Sequence, residues 1–173
     1  MTRSNLFERD MATVARRSIE INTLFNDSTV NAPPLLTPFP DTRLGGQLQS
    51  IAQVIDSRTV LGAKRQIFFA AIGGFDTHSN QANSLPGRQR EISEAITAFY
   101  AATEEMGISQ DVTLFTASDF GRTLAVNGDG SDHGWGGHQF VVGGGVNGGR
   151  IFGDVPPADL EHDWDSGRGR LIP

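Results

Sequence analysis

Three short polar loops at the ends of apolar runs constrain this chain more than any other feature. They read Gly73-Gly74-Phe75-Asp76-Thr77-His78, Ser118-Asp119-Phe120-Gly121-Arg122 and Asp132-His133-Gly134-Trp135-Gly136-Gly137-His138, and they hold three of the four histidines. The first follows Gln66 to Ile72, QIFFAAI, a continuous apolar run of strand length. The second follows Val112 to Ala117, VTLFTA, and a shorter run, Gln139 to Val142, precedes the glycine cluster at 143–149. Apolar runs bounded by glycines are expected of parallel strands covered on both faces.

Between the first two runs, Leu85, Ile92, Ile96, Phe99 and Met106 recur at helical spacing from Ser84 to Met106, with Gly107 placed to stop the helix. Strand, helix and strand in this order predict a βαβ unit, hence an α/β fold with a mostly parallel sheet flanked by helices. A further helix is expected over roughly Asp41 to Thr59, where Leu44, Leu48, Ile51 and Ile55 share one face and Gly62 follows as a stop. Residues 1–40 read as a lead-in. One or two amphipathic helices run from Asn5 to Phe25, and residues 31–40, NAPPLLTPFP, hold four of the eight prolines and form an extended connector. No repeat divides the chain, so residues 1–173 read as a single domain.

Loops beyond the carboxyl ends of neighbouring parallel strands converge even when distant in sequence. Asp76, His78, Asp119, Asp132, His133 and His138 are therefore candidates for one site. Carboxylates mixed with imidazoles suit zinc, manganese or another borderline divalent ion, and a set of this size has room for one or two ions. Two ions bridged by a carboxylate favour phosphoryl or sulfuryl displacement. Taken singly, such residues have plainer roles: an aspartate after a strand is commonly a turn or helix cap, and a histidine a surface group. Arg122 matches the geometry of a phosphate or sulfate oxygen pair, or equally a salt bridge to a nearby carboxylate. Trp135, between glycines, reads as a packing anchor more readily than as a substrate platform.

Two motif matches carry no function. Gly143 to Gly148 fits the dinucleotide pattern, but the residues after it, Arg150 to Pro157, have no helical periodicity and hold two prolines. Asn127 to Asp132 resembles the start of a calcium loop but lacks glycine at its sixth position and glutamate at its twelfth, so calcium is a minor possibility.

Composition narrows the partners. A formal charge of −6 disfavours a nucleic-acid partner, because phosphate-backbone binding rests on clustered cations. No run reaches the roughly 20 apolar residues that span a bilayer, and Met1 to Asp10 lacks the apolar core of a signal peptide. With no cysteine, any metal ion is held by oxygen and nitrogen donors alone.

The phrases RQIFFAAIGGFDTH, VTLFTASDFGRTL, NGDGSDHGWGGHQFVVGGGVNGG and DSGRGRLIP resemble, in this order, the bacterial DUF1501 family, over roughly Leu44 to Pro173. That family is similar to alkaline phosphatases, sulfatases and phosphopentomutases. The resemblance implies an alkaline-phosphatase-like fold, here truncated at both ends, with divalent ions beyond its strand ends. It also implies export to the periplasm, since members commonly carry a twin-arginine signal. Asp119 looks like the aspartate of the superfamily's Asp-His signature, although Phe120 stands where the histidine belongs. Asp76 and His78 resemble the earlier ligand pair at shorter spacing, and Asp132, His133 or His138 supply the later ligands. The superfamily's first aspartate and its hydroxyl or thiol nucleophile belong to an N-terminal part of the fold.

The leading expectation is a metal-dependent hydrolase of small anionic phosphate or sulfate esters. Asp76, His78, Asp119, Asp132 and His133 act as ligands of zinc, with manganese or calcium as the alternatives. His138 serves as ligand or general acid, and Arg122 orients the anion. The alternatives are a non-catalytic, metal-stabilised binding module, and an inert fragment with exposed apolar surface.

Overall fold

Small side chains decide how the two central helices meet. The computed structural model describes residues 5–31 and 34–172, and its helices are α1 (Leu6–Asn31), α2 (Arg43–Asp56) and α3 (Gln81–Glu105). The Thr42 hydroxyl accepts from the Gly45 N–H at 3.0 Å, satisfying a donor that the first turn of α2 leaves free. Leu44, Leu48, Ala52 and Ile55 of α2 pack against Ala95, Phe99 and Ala102 of α3. Ala52, Ala95 and Ala102 are fully buried, which lets the two backbones approach closely. Gly62 ends the turn after α2 at φ 63° and Gly107 follows α3 at φ 68°, as their positions in the sequence predict.

The proline-rich connector is tied to this helix pair by one carboxylate. Glu105 accepts from the Leu36 N–H at 2.6 Å, the Thr37 N–H at 2.9 Å and the Thr37 hydroxyl at 2.6 Å. The hydroxyl is the largest reason that its carboxyl sits below the ordinary glutamate range. The connector has no regular structure from Pro34 onward, while α1 continues through Asn31, past the start expected for the connector; residues 32 and 33 lie outside the described residues. Along α1, Leu6, Phe7, Met11, Val14 and Ile21 are exposed. Among the described residues, no helix is long and apolar enough to cross a membrane.

The strands overturn the expected mostly parallel, alkaline-phosphatase-like sheet. They are β1 (Leu114–Phe115), β2 (Gly121–Asn127), β3 (Gly130–Gly134) and β4 (Val141–Val142). β1 pairs with β4 and β2 with β3, both antiparallel, giving two separate two-stranded sheets. Residues 66–72 have no regular secondary structure and join no ladder. At Ala71 the side-chain amide of Gln47 stands in for a neighbouring strand, accepting from the Ala71 N–H at 3.0 Å and donating to its carbonyl at 2.9 Å. Ala70 and Ile72 pack on the helix pair, whereas Ile67 and Phe69 are each 91% exposed. Apolar composition reports a tendency to be buried, but a sheet also needs a partner backbone, which periodicity does not supply. Hence α3 is no crossover helix, and only two residues of Val112 to Ala117 enter a ladder.

The β2–β3 hairpin is the element the apolar pattern missed. Its turn is Asn127-Gly128-Asp129-Gly130, with Gly128 at φ 65°. Asn127 pairs with Gly130, so the two-residue loop is Gly128-Asp129, and glycine at its first position supplies the positive φ that such a hairpin turn needs. The imperfect calcium loop of the sequence is thus a turn.

Replacing Leu48 by Ala opens a cavity between α2 and α3 and is expected to cost about 2–5 kcal/mol in urea denaturation. Ile67→Ala, on the exposed run, is expected to change stability by no more than about 0.5 kcal/mol. Equal costs at the two positions would mean that the core does not lie between the helices.

Candidate metal centre

The loop after residues 66–72 lies flat on the hairpin, and glycine makes this possible. The Ser131 N–H donates to the Thr77 carbonyl at 3.2 Å and the Gln81 N–H to the Asp129 carbonyl at 3.0 Å. A Cβ on Gly130 would collide with the backbone of Thr77 and His78, so only glycine admits this approach. Across the hairpin Arg122 stands opposite His133, next to an irregularity in register between Arg122 and Val126. Neighbouring side chains of such a pair are within mutual reach. Both turn to Asp76.

One oxygen of Asp76 gathers three partners. Its Oδ1 lies 3.0 Å from His78 Nε2, 2.8 Å from His133 Nε2 and 3.0 Å from Arg122 Nη1. The three titratable side chains are about half exposed, at 56% for Asp76, 50% for His78 and 51% for His133. Arg122 is more enclosed and spends its other donors on Ser131: Nε reaches Oγ at 3.0 Å and Nη2 reaches the carbonyl. Ser131 Oγ and Thr77 Oγ1 in turn donate to Gln81 Oε1, at 2.6 Å and 3.0 Å. The Phe120 ring stacks on His133 with centroids 4.3 Å apart and planes inclined by 9°, fixing the imidazole plane.

These contacts set the charge of the centre. The hydrogen bond from His133 is the largest reason that Asp76 sits below the ordinary aspartate range; Arg122 and the nearby His78 act in the same direction, against partial desolvation. Asp132 is also lowered, first by the 2.8 Å hydrogen bond from the Asn127 side chain.

The sequence candidates divide. Asp76, His78 and His133 offer ligand atoms within 4.8 Å of one another. Asp132 stands behind His78, with its Oδ1 3.6 Å from Nδ1, on the side of the ring away from Asp76. Asp119 and His138 are exposed and lie outside the three-residue cluster. Arg122 takes the salt-bridge alternative, and Trp135, 67% exposed, is no packing anchor. Phe120, which stands where the histidine of the resembled signature belongs, supports the cluster as a ring stacked on His133, and Ser131 and Gln81 support it by hydrogen bonds. The signal for Phe120 was its position beside Asp119; Gln81 and Ser131 gave none, since only the docking of loop on hairpin makes them neighbours.

The result is an Asp-His-His donor set, open to solvent, brought together where the loop bearing Asp76 and His78 docks on the hairpin bearing His133. The chain belongs to the family described as protein of unknown function (DUF1501), whose model matches residues 40–164. No curated protein and no solved structure matches it.

Because the Asp76 carboxyl is depressed in the folded chain, its stabilising contribution is complete above the ordinary aspartate pKa and is lost as pH falls through the depressed value. In His133→Ala, carbon-detected NMR titration is expected to show the Asp76 pKa moving up toward the ordinary value. An unmoved Asp76 would mean that Arg122 and His78 hold its charge without His133.

Proposed function

We propose that this chain binds one divalent ion, zinc or manganese, through Asp76, His78 and His133, and that it is a metal-dependent hydrolase of phosphate or sulfate esters. The observation that carries the reading is the meeting of one carboxylate oxygen and two imidazole nitrogens within 4.8 Å, on residues left half open to solvent. Three protein donors with a free side are the pattern of catalytic zinc, whereas structural zinc is enclosed by four. The motif likeness to alkaline-phosphatase-like and sulfatase-like hydrolases supports the same chemistry, and with it an exported, periplasmic setting.

A bound ion supplies Lewis acidity toward the ester oxygen and toward water. The residues of the chain do the rest. Asp76 contributes the negative charge that attracts a cation, and Arg122 holds that carboxylate in place from below. Phe120 keeps the His133 ring in one plane, and Asp132 backs the other imidazole at its Nδ1. The hydroxyls of Thr77 and Ser131 are engaged with Gln81, so neither is free to attack an ester.

A second reading, a metal-stabilised binding module without turnover, is favoured by Asp119. With that carboxylate outside the cluster, the centre has donors for one ion and not for a bridged pair. On either reading the ion also fastens the loop to the hairpin.

Plasma mass spectrometry on protein purified without a metal-affinity tag is expected to find about one equivalent of zinc or manganese. Asp76→Ala and His133→Ala should lose it, and Asp119→Ala should keep it. Folded protein without metal would sink both readings. Where metal is present, hydrolysis of an aryl phosphate or aryl sulfate that a chelator abolishes selects the hydrolase, and metal without turnover selects the binding module.

A further inference from the structure

The segment 161–172 runs along the outer side of the hairpin, and one of its side chains reaches back to the centre. The segment is organised by Asp165. Its Oδ1 accepts from the Gly167 N–H at 2.8 Å and the Gly169 N–H at 2.7 Å, and its Oδ2 accepts from the Glu161 N–H at 2.9 Å. Such a ring of backbone donors around a carboxylate fixes a short loop. The loop is joined to β2 by two backbone hydrogen bonds of 3.2 Å, from Leu124 N–H to the Gly169 carbonyl and from Ala125 N–H to the Arg168 carbonyl. Arg168 itself is held at φ 61°, a left-handed conformation that a side chain adopts only where its surroundings impose it.

From that position the Arg168 guanidinium meets Asp132, with Nη1 2.8 Å from Oδ2. The other oxygen of Asp132 accepts from Asn127 at 2.8 Å and faces His78 Nδ1 at 3.6 Å. With each oxygen engaged from a different side, the carboxylate is not free to rotate. At 3.6 Å the Asp132 carboxylate is outside hydrogen-bond distance but within ion-pair range of Nδ1. From the place that an outer partner of a metal-bound histidine takes, it favours by its charge the ring orientation that leaves Nε2 pointing forward.

We propose that Arg168 is a positioning residue of the metal centre: by clamping Asp132 behind His78 it aims Nε2 of that ring at the ion. The inference rests on the metal reading above and assigns the segment 161–172 a part in it. The ion pair is half exposed on the arginine side, at 51%, and exposed pairs contribute little to folding. Its effect belongs in metal affinity.

Zinc affinity by competition with a chromophoric chelator, together with thermal unfolding of the metal-free chain, tests this. Arg168→Ala is expected to weaken zinc binding by about tenfold or more, with little change in the unfolding temperature. Arg168→Lys restores affinity to within about threefold, because a single contact to one oxygen is within reach of an ammonium. Arg170→Ala, on the same segment, binds zinc as the unsubstituted chain does. In the metal-free protein, long-range nitrogen NMR should show the His78 Nδ1 resonance moving in Arg168→Ala while that of His138 stays. Unchanged zinc affinity in Arg168→Ala, or a lysine variant as weak as the alanine one, would overturn the proposal. Absence of zinc binding by the unsubstituted chain would defeat the metal reading separately, and an unmoved His78 resonance in the metal-free Arg168→Ala chain would then overturn the positioning role on its own.

Discussion

The Oδ1 atom of Asp76 is the contact on which the arrangement of the chain depends. Three groups come within 3.0 Å of it: His78 from its own loop and, from far along the chain, Arg122 of β2 and His133 of β3. The carboxylate fastens the loop to both strands of the hairpin by side chains, in addition to the backbone hydrogen bonds between Ser131 and Thr77 and between Gln81 and Asp129. The same oxygen is the natural first ligand of a cation. The contacts that fasten the loop to the hairpin are thus also those of the candidate site.

A second constraint is steric. The loop and the hairpin touch backbone to backbone because Gly130 has no side chain, and the hairpin exists because Gly128 turns it at positive φ. The polar dense stretch from Asn127 to Asp132 thus serves geometry first. The chemistry of Asp132 and His133 follows from where that turn puts them, one behind the His78 ring and the other beside it.

The helix pair was legible because each helix carries its own record. Leu44, Leu48 and Ile55 fall on one face at the spacing of a helix, and Thr42, Gly62 and Gly107 mark ends by local hydrogen bonding and local φ. The sheet was not legible. QIFFAAI looks like a buried strand, yet Ile67 and Phe69 face solvent, and its one strand-like pairing is to the side chain of Gln47. Whether an extended apolar segment finds a neighbouring strand depends on residues elsewhere, so a local pattern cannot report it. The hairpin is the converse case: its signal is the short loop Gly128-Asp129 between largely polar strands, which apolar periodicity does not register.

For the site, the sequence by itself determined the chemical inventory: aspartates and histidines in three short polar stretches, no thiolate, and membership of a family whose model spans residues 40–164. It did not place them: the expected loops at 118–122 and 132–138 enter β2 and β3, so Arg122, Asp132 and His133 are strand residues. Tertiary structure decided which candidates meet. It chose Asp76, His78 and His133 as the cluster, set Asp132 behind it, left Asp119 and His138 outside, and turned Arg122 inward to a carboxylate. The reason is that convergence is fixed by cross-strand register and by one close backbone approach at Gly130. Both are relations between distant segments, which the spacing of residues along a chain does not contain.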